Sequence, residues 1–302
     1  MIGHRLMGTS LLFTGDITQG RAHYDQALAL YDPREHRALA ARFGQDVRVA
    51  ILSYRSLALW VLGYAEAALA DSDQAIRDAR EIGQAATLMY ALAATSWTHI
   101  LSENYAAANA LNDELVTLAD EKGALHWKAW GMVSQGLQFV LTGKASDAVR
   151  KITFAITAYR SQGSTAWVLV WLSYLARAHA ELGQFDDAWR CIGEAMTAVE
   201  TTKERWIEAE VHRVAGDIAL MSPQPDSAKA EAYFKRALTV AGAQQAKSWE
   251  LRAAMSMARL WRDQGKREEA REVLAPVYGW FTEGFDTLDL KEAKALLDEL
   301  AS

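Results

Sequence analysis

The segment LTGKAS, residues 141–146, comes nearest in this chain to a loop that cradles phosphate. No glycine precedes its Gly143-Lys144 pair at the required spacing, and Ala145 stands where a metal-binding Ser or Thr would follow. No G-x-G-x-x-G, H-E-x-x-H or C-x-x-C occurs. The seven histidines are scattered singly, and none stands four residues from another, whereas a zinc site needs three or four converging ligands. The acidic pairs Asp186-Asp187 and Glu268-Glu269 follow glycines, where negative charge suits the start of a helix. Cys191 is the single cysteine; it cannot form an internal disulfide, suits a reducing compartment and reads as a small buried apolar residue. The residues thus predict no catalytic centre, no metal and no cofactor. What remains is recognition: arginine forks suit carboxylate or phosphate, and aromatic faces anchor apolar groups.

Such groups need a scaffold, and composition limits its kind. The chain has 302 residues, enough for two ordinary domains or one elongated array. It is 51% hydrophobic and 23% charged, so it can bury a core, and its four prolines with abundant Ala, Leu, Glu, Arg and Gln favour helix throughout. A net charge of −6 argues against non-specific nucleic-acid binding, which needs excess Lys and Arg. No apolar run is long enough to span a membrane. The N-terminus MIGHRLMGTSLLF lacks the basic lead and cleavage pattern of a signal peptide, so a cytoplasmic location is expected. The first helix is expected to begin almost at Met1, as though the chain were cut from something longer.

A repeat organises the helices. ELGQFDDAWRCIGEAM, residues 181–196, sets its smallest residues at Gly183, Ala188 and Ala195. The position of Gly183 recurs as Gly15, Gly63, Glu103, Gly143, Pro223 and Gly265, mostly at intervals of 40. Five residues on stand Gly20, Ala68, Ala108, Ala148, Ala188, Ala228 and Ala270. Seven residues before it stand Gly8, Ser56, Ser96, Gly136, Ala176, Gly216 and Ala258. A fixed period of this size is the signature of a solenoid. Each period reads as a helix, a turn where glycine takes the left-handed conformation, and a second helix. The two small columns are expected to face each other, so that the helix axes approach closely. A further alanine column (Ala27, Ala75, Ala155, Ala195, and Ala237 with two residues inserted) is expected to contact the next repeat.

The pattern resembles the tetratricopeptide repeat over nearly the whole chain, most closely in GDITQGRAHYDQALALYDP, residues 15–33. A period of 40 is longer than that family's usual one and resembles the long-repeat variants of bacterial signal-transduction regulators. The resemblance implies an all-α, right-handed α-solenoid of about seven helix-turn-helix repeats in one superhelical domain over residues 1–302. The repeats fall at about 1–33, 47–83, 87–123, 126–163, 165–204, 206–247 and 249–282, with a capping helix at about 288–301 whose apolar stripe is Leu288, Leu290, Ala293, Leu297 and Leu300. It also implies a ligand groove along the concave face. The matching positions are Arg5 and Thr9, then Ala50, Ser53, Leu57 and Trp60, then Tyr90, Ala93 and Trp97, then Trp130, Val133 and Leu137. Further along they are Ser173, Arg177 and Glu181, then Glu210, Arg213 and Asp217, then Arg252, Met255, Arg259 and Arg262. That groove would be aromatic in repeats two to four and charged in five to seven, matching a peptide with apolar anchors and an acidic end. In the alternative, the tryptophans are core, and Arg177, Arg213 and Arg252 pair with Glu181, Glu210 and Asp217 across adjacent repeats.

The register is disturbed twice. DPREHRALAARFGQD, residues 32–46, adds eight residues and a local basic cluster, read as a longer second helix or solvated connection, or as a dock for an acidic partner. MSPQPDSAKAEAYF around Pro223 reads as a rigid loop with Asp226 or Ser227 capping the next helix.

IGHRLMGTSLLFTGD, SYRSLALWVLGYAEAAL, LADEKGALHWKAWG and the segment from Ala246 to Leu300 resemble the C-terminal repeat region of bacterial signalling proteins. Those are class III adenylate/guanylate cyclases fused to an AAA-like ATPase domain. Neither the cyclase's metal-binding aspartates nor the ATPase's phosphate loop lies in these residues. The resemblance therefore implies a non-enzymatic scaffold or sensory module that binds a protein or peptide in its groove and regulates a signalling partner. Cyclase or ATPase domains of a parent protein are candidate partners; nucleic acid and membrane are not. The alternatives are the regulatory region of a cyclase, classed as an enzyme through its parent, or the small-molecule-sensing domain of a transcriptional regulator.

Overall fold

The computed structural model describes residues 1–301, and among them it contains helices and no strand. The first repeat is α1 (Ile2–Thr14) with α2 (Ile17–Ala29), and the basic connection folds as α3 (Pro33–His36), a 3-10 turn (Arg37–Leu39) and α4 (Ala40–Phe43). Paired helices follow: α5 (Val47–Val61) with α6 (Ala65–Ile82), α7 (Ala85–Leu101) with α8 (Tyr105–Glu121), α9 (Leu125–Leu141) with α10 (Ala145–Arg160) and α11 (Val168–Glu181) with α12 (Phe185–Thr202). The last pairs are α13 (Glu208–Met221) with α14 (Ser227–Gln244) and α15 (Lys247–Asp263) with α16 (Arg267–Tyr278), before the terminal α17 (Leu288–Ala301). No described helix is long and apolar enough to cross a membrane.

The two helices of a repeat differ in how they are buried. In α12 the buried residues Ala188, Cys191, Ile192, Ala195 and Val199 follow the helical period, while Arg190 and Glu194 stay in water. In α11 every residue from Val168 to Ala176 is buried, as expected of a helix covered on all sides. First helices touch the first helices of neighbouring repeats, α5 on α7 and α11 on α13 for example, so they line the inside of the curve.

The small columns do permit close approach, with one correction to which residue meets which. A Cβ on Gly20 would lie 3.0 Å from the Gly8 carbonyl oxygen. A Cβ added to Gly8, Gly136 or Gly216 would instead strike Tyr24, Ile152 or Phe234, at 2.9, 2.6 and 2.4 Å. The small residue on the first helix therefore makes room for a large one on the second, four residues past the alanine column. Ala228 is exposed, and Ala230 is buried in its place. The two extra residues lie in the turn, where Asp226 caps α14 by accepting from the Lys229 amide at 2.8 Å. Arg37 of the basic connection pairs with Glu81, and Arg48 at the start of α5 pairs with Asp78.

The solenoid closes on itself. The Phe13 carbonyl accepts from the Arg205 amide at 2.6 Å, and Thr18 Oγ1 donates to Gln245 at 2.7 Å. Ser248 Oγ donates to the Trp60 carbonyl at 2.5 Å. The aromatic segment after α16 reaches back to the second repeat. Trp280 stacks edge-on against Tyr64 and lies so close to Gly63 that a Cβ there would be 2.6 Å from its ring. The Glu283 carboxylate accepts from the Glu66 and Ala67 amides at 2.9 and 3.1 Å, capping α6 from a distant part of the chain, and Glu66 accepts in return from the Gly284 amide. In α17 the buried stripe is Leu290, Ala293, Leu296 and Leu300, whereas Leu288 is exposed.

Candidate functional site

Closure determines what the concave face can offer. Trp60, Trp97 and Trp130, expected on an open groove wall, are buried. They join Trp167, Trp171, Trp206 and Trp249 in a continuous aromatic plug: Trp60 meets Trp249 at 4.8 Å, and Trp167 meets Trp97, Trp130 and Trp206 each at 5.1 Å. Tyr90 is part-buried against Tyr54 and Trp127 at the edge of this plug. The physical reason is curvature, because the inner faces of repeats two to four meet those of five to seven and exclude water from both.

Beside the plug lies an open cavity of about 830 Å³. Its walls come from α11, α13 and α15, with the α7–α8 turn and α17 at its rim. Four of the expected arginines line it: Arg177, Arg213, Arg252 and Arg259. Arg262 does not; it turns to Asp263 and Glu299, at 2.9 and 3.1 Å.

The arginines are not free to receive an acidic ligand. Arg213 holds Glu210 at 2.7 Å and Asp217 at 2.5 Å, and Arg177 holds Glu181 at 3.0 Å, all within one helix rather than across repeats. Arg259 holds Glu292 of α17 at 2.6 Å. Arg252 separates plug from cavity: its guanidinium lies over the Trp60 ring at 5.0 Å, donates to Asp289 at 2.8 Å and to the Leu101 carbonyl at 2.8 Å. Burial pushes the Glu210 carboxyl up, but the Arg213 guanidinium outweighs it and holds the group below the usual range. The cavity wall carries seven carboxylates against four guanidinium groups. The expected basic receptor is therefore acidic, because Glu103, Asp289 and Glu292 come from a turn and a terminal helix that groove positions on first helices do not include.

Glu103 has one visible sequence signal, in that it replaces glycine in the turn column. It keeps the left-handed conformation at φ 59°, which costs a non-glycine residue on the order of 1 kcal/mol. Its Oε1 lies 3.7 Å from Arg252, and its Oε2 is buried without a hydrogen-bond partner. Burial first, then repulsion by Asp289, pushes this carboxyl up to about 7 against the pull of Arg252.

A carboxyl raised on folding binds its proton more tightly when folded. Its contribution to stability is complete below the unfolded value near 4.5 and is lost as pH rises to about 7. Glu103→Gln should therefore flatten the stability profile between pH 5 and 8. Urea midpoints of both proteins at each pH test this, and an unchanged pH difference in the variant would refute it.

Burial pushes the Cys191 thiol up to about 11, in keeping with an inert core position. No group of ligating side chains among the described residues could hold a metal ion.

No family profile matches the chain, and no curated protein matches it in sequence. Solved structures are similar in fold. A Rap protein complexed with Competence and Sporulation Factor is 12% identical with a TM-score of 0.64, over 99% of this chain and 79% of that one. NprR in complex with its cognate peptide NprX is 13% identical with a TM-score of 0.58, over 99% and 82%. A tetratricopeptide repeat protein from Parabacteroides merdae is 12% identical with a TM-score of 0.54, over 99% and 98%. The fold is that of a tetratricopeptide-type helical-repeat solenoid.

Proposed function

We propose that this solenoid is a peptide-binding regulatory module whose ligand lies in the cavity beside the aromatic plug. The observation that carries the reading is the cavity itself, about 830 Å³, walled by first helices of three successive repeats and rimmed by polar groups. Its volume is in the range of sites that enclose most of a small ligand, and it would hold a peptide segment of a few residues. Two proteins of similar fold are solved in complex with a peptide or a named factor, which supports the same class of ligand here. The partner regulated would be a signalling domain; on the sequence resemblance, a cyclase or ATPase domain of a parent protein.

The test is a thermal-shift titration against a pool of random short peptides, with nucleotides and sugars in parallel. A ligand at 100 times its Kd should stabilise the fold by about 2.7 kcal/mol. Ser256→Trp, which places an indole in the cavity floor, should abolish the shift while circular dichroism stays helical. A shift with nucleotides or sugars and none with peptides would replace this reading with small-molecule sensing.

A further inference from the structure

We infer that the part of the cavity lined by Tyr174, Glu103, Glu210 and Asp289 is a receptor for a cationic group of the ligand, an ammonium or guanidinium on a basic peptide. This rests on the peptide reading above and adds the ligand's charge. Two observations carry it independently. The first is the mismatch of charges: Arg252 serves both Asp289 and Glu103, and Arg213 serves both Glu210 and Asp217. A cation entering there would meet carboxylates that share their partners, and Glu103 retains a buried oxygen with none. The second is Tyr174. It is 97% buried, its ring packs against Trp97 at 6.5 Å, and it lines the cavity. Its hydroxyl meets no hydrogen-bond partner in the chain and is not sealed from the cavity, so a group of the ligand can reach it. A phenol oxygen can accept from an ammonium while its proton points to a carboxylate.

The inference also fixes the pH dependence. A bound cation favours ionised Glu103, so binding releases a proton wherever that carboxyl is still protonated, and affinity rises as pH increases from 5.5 to 8. The groups facing Glu103 are Asp289 and Glu292 from α17, Arg252 from α15, Arg177 from α11 and Tyr105 from α8. A lysine probe keeps its charge throughout this range.

The experiment uses three fluorescein-labelled alanine pentapeptides carrying two Lys, two Gln or two Glu, followed by anisotropy with the full chain. The Lys peptide should bind at least about tenfold tighter than the Glu peptide, and Tyr174→Phe, which keeps the ring, should weaken it by about tenfold. Glu103→Gln should weaken it and remove the rise between pH 5.5 and 8. If the Gln or Glu peptide binds as tightly as the Lys peptide and Ser256→Trp abolishes it, the peptide cavity stands and the cationic receptor falls. Lys-peptide binding that survives Ser256→Trp places the cation elsewhere and overturns the inference. Absence of binding by all three overturns the cationic receptor, whereas the peptide reading falls only if the random-peptide pool also gives no thermal shift.

Discussion

Replacing Arg213 by methionine should destabilise the protein by about 3–5 kcal/mol, the cost of leaving a buried charge without its partner. Glu210 is 2% exposed, and its two oxygens accept from Arg213 at 2.7 Å each. Asp217 loses the same partner but keeps a third of its side chain in water, so most of the penalty falls on Glu210. Burial of Arg213 works against its charge, and Glu210 and Asp217 more than compensate, so the guanidinium is held well above its ordinary range. The double change Arg213→Met with Glu210→Leu should recover most of the loss, because a matched apolar pair carries no desolvation penalty. Chemical denaturation of the wild type, both single variants and the double variant decides it. A double variant no more stable than Arg213→Met would mean that the pair is not what the buried charge depends on.

The second large effect is steric. Gly216→Ala adds a Cβ that would sit 2.4 and 2.6 Å from two ring atoms of Phe234, a ring with no exposed surface to swing into. Overpacking of this kind costs about 1–3 kcal/mol. The fifth repeat indicates the remedy, since it has Ala176 and Ile192 at the corresponding positions, both buried. Gly216→Ala combined with Phe234→Ile should therefore be more stable than either single variant, with a coupling energy well outside the error of additive sites. Purely additive losses in thermal or urea unfolding would show that these columns do not pack against each other.

The period, the helix pairs and the turn column were legible in the sequence because they depend on local spacing alone. A left-handed turn favours glycine, and Gly15 at φ 93° and Gly265 at φ 78° are read without knowing what they pack against, with Glu103 the exception that holds the same conformation. The position of the aromatic plug was not legible in this way. Whether Trp97 faces solvent or Trp167 depends on the superhelical curvature, which sums small rotations over many repeats and leaves no mark at any one residue. The charge of the cavity was misread for a related reason. Arg213 and Arg252 stand at groove positions of first helices, but Asp289 and Glu292 enter from the terminal helix and Glu103 from a turn. In α17 Leu290, Ala293 and Leu300 are buried as the leucine spacing suggested, and Leu296 is buried while Leu288, at the start of the helix, is exposed.

In an open solenoid each repeat answers only to its neighbours, as in a row of coupled units with two free ends. The hydrogen bonds from Thr18 to Gln245 and from Glu66 and Ala67 to Glu283 tie the first repeat to the sixth and the second to the segment after the seventh, so that successive turns of the superhelix touch. The first repeat, which would answer to one neighbour in an open row, also answers to the sixth, so fraying from that end breaks two interfaces instead of one. Assembly also acquires a late step that an open row lacks. Segments 216 to 227 residues apart must meet, and the chain entropy of that encounter is spent before the closing contacts return anything.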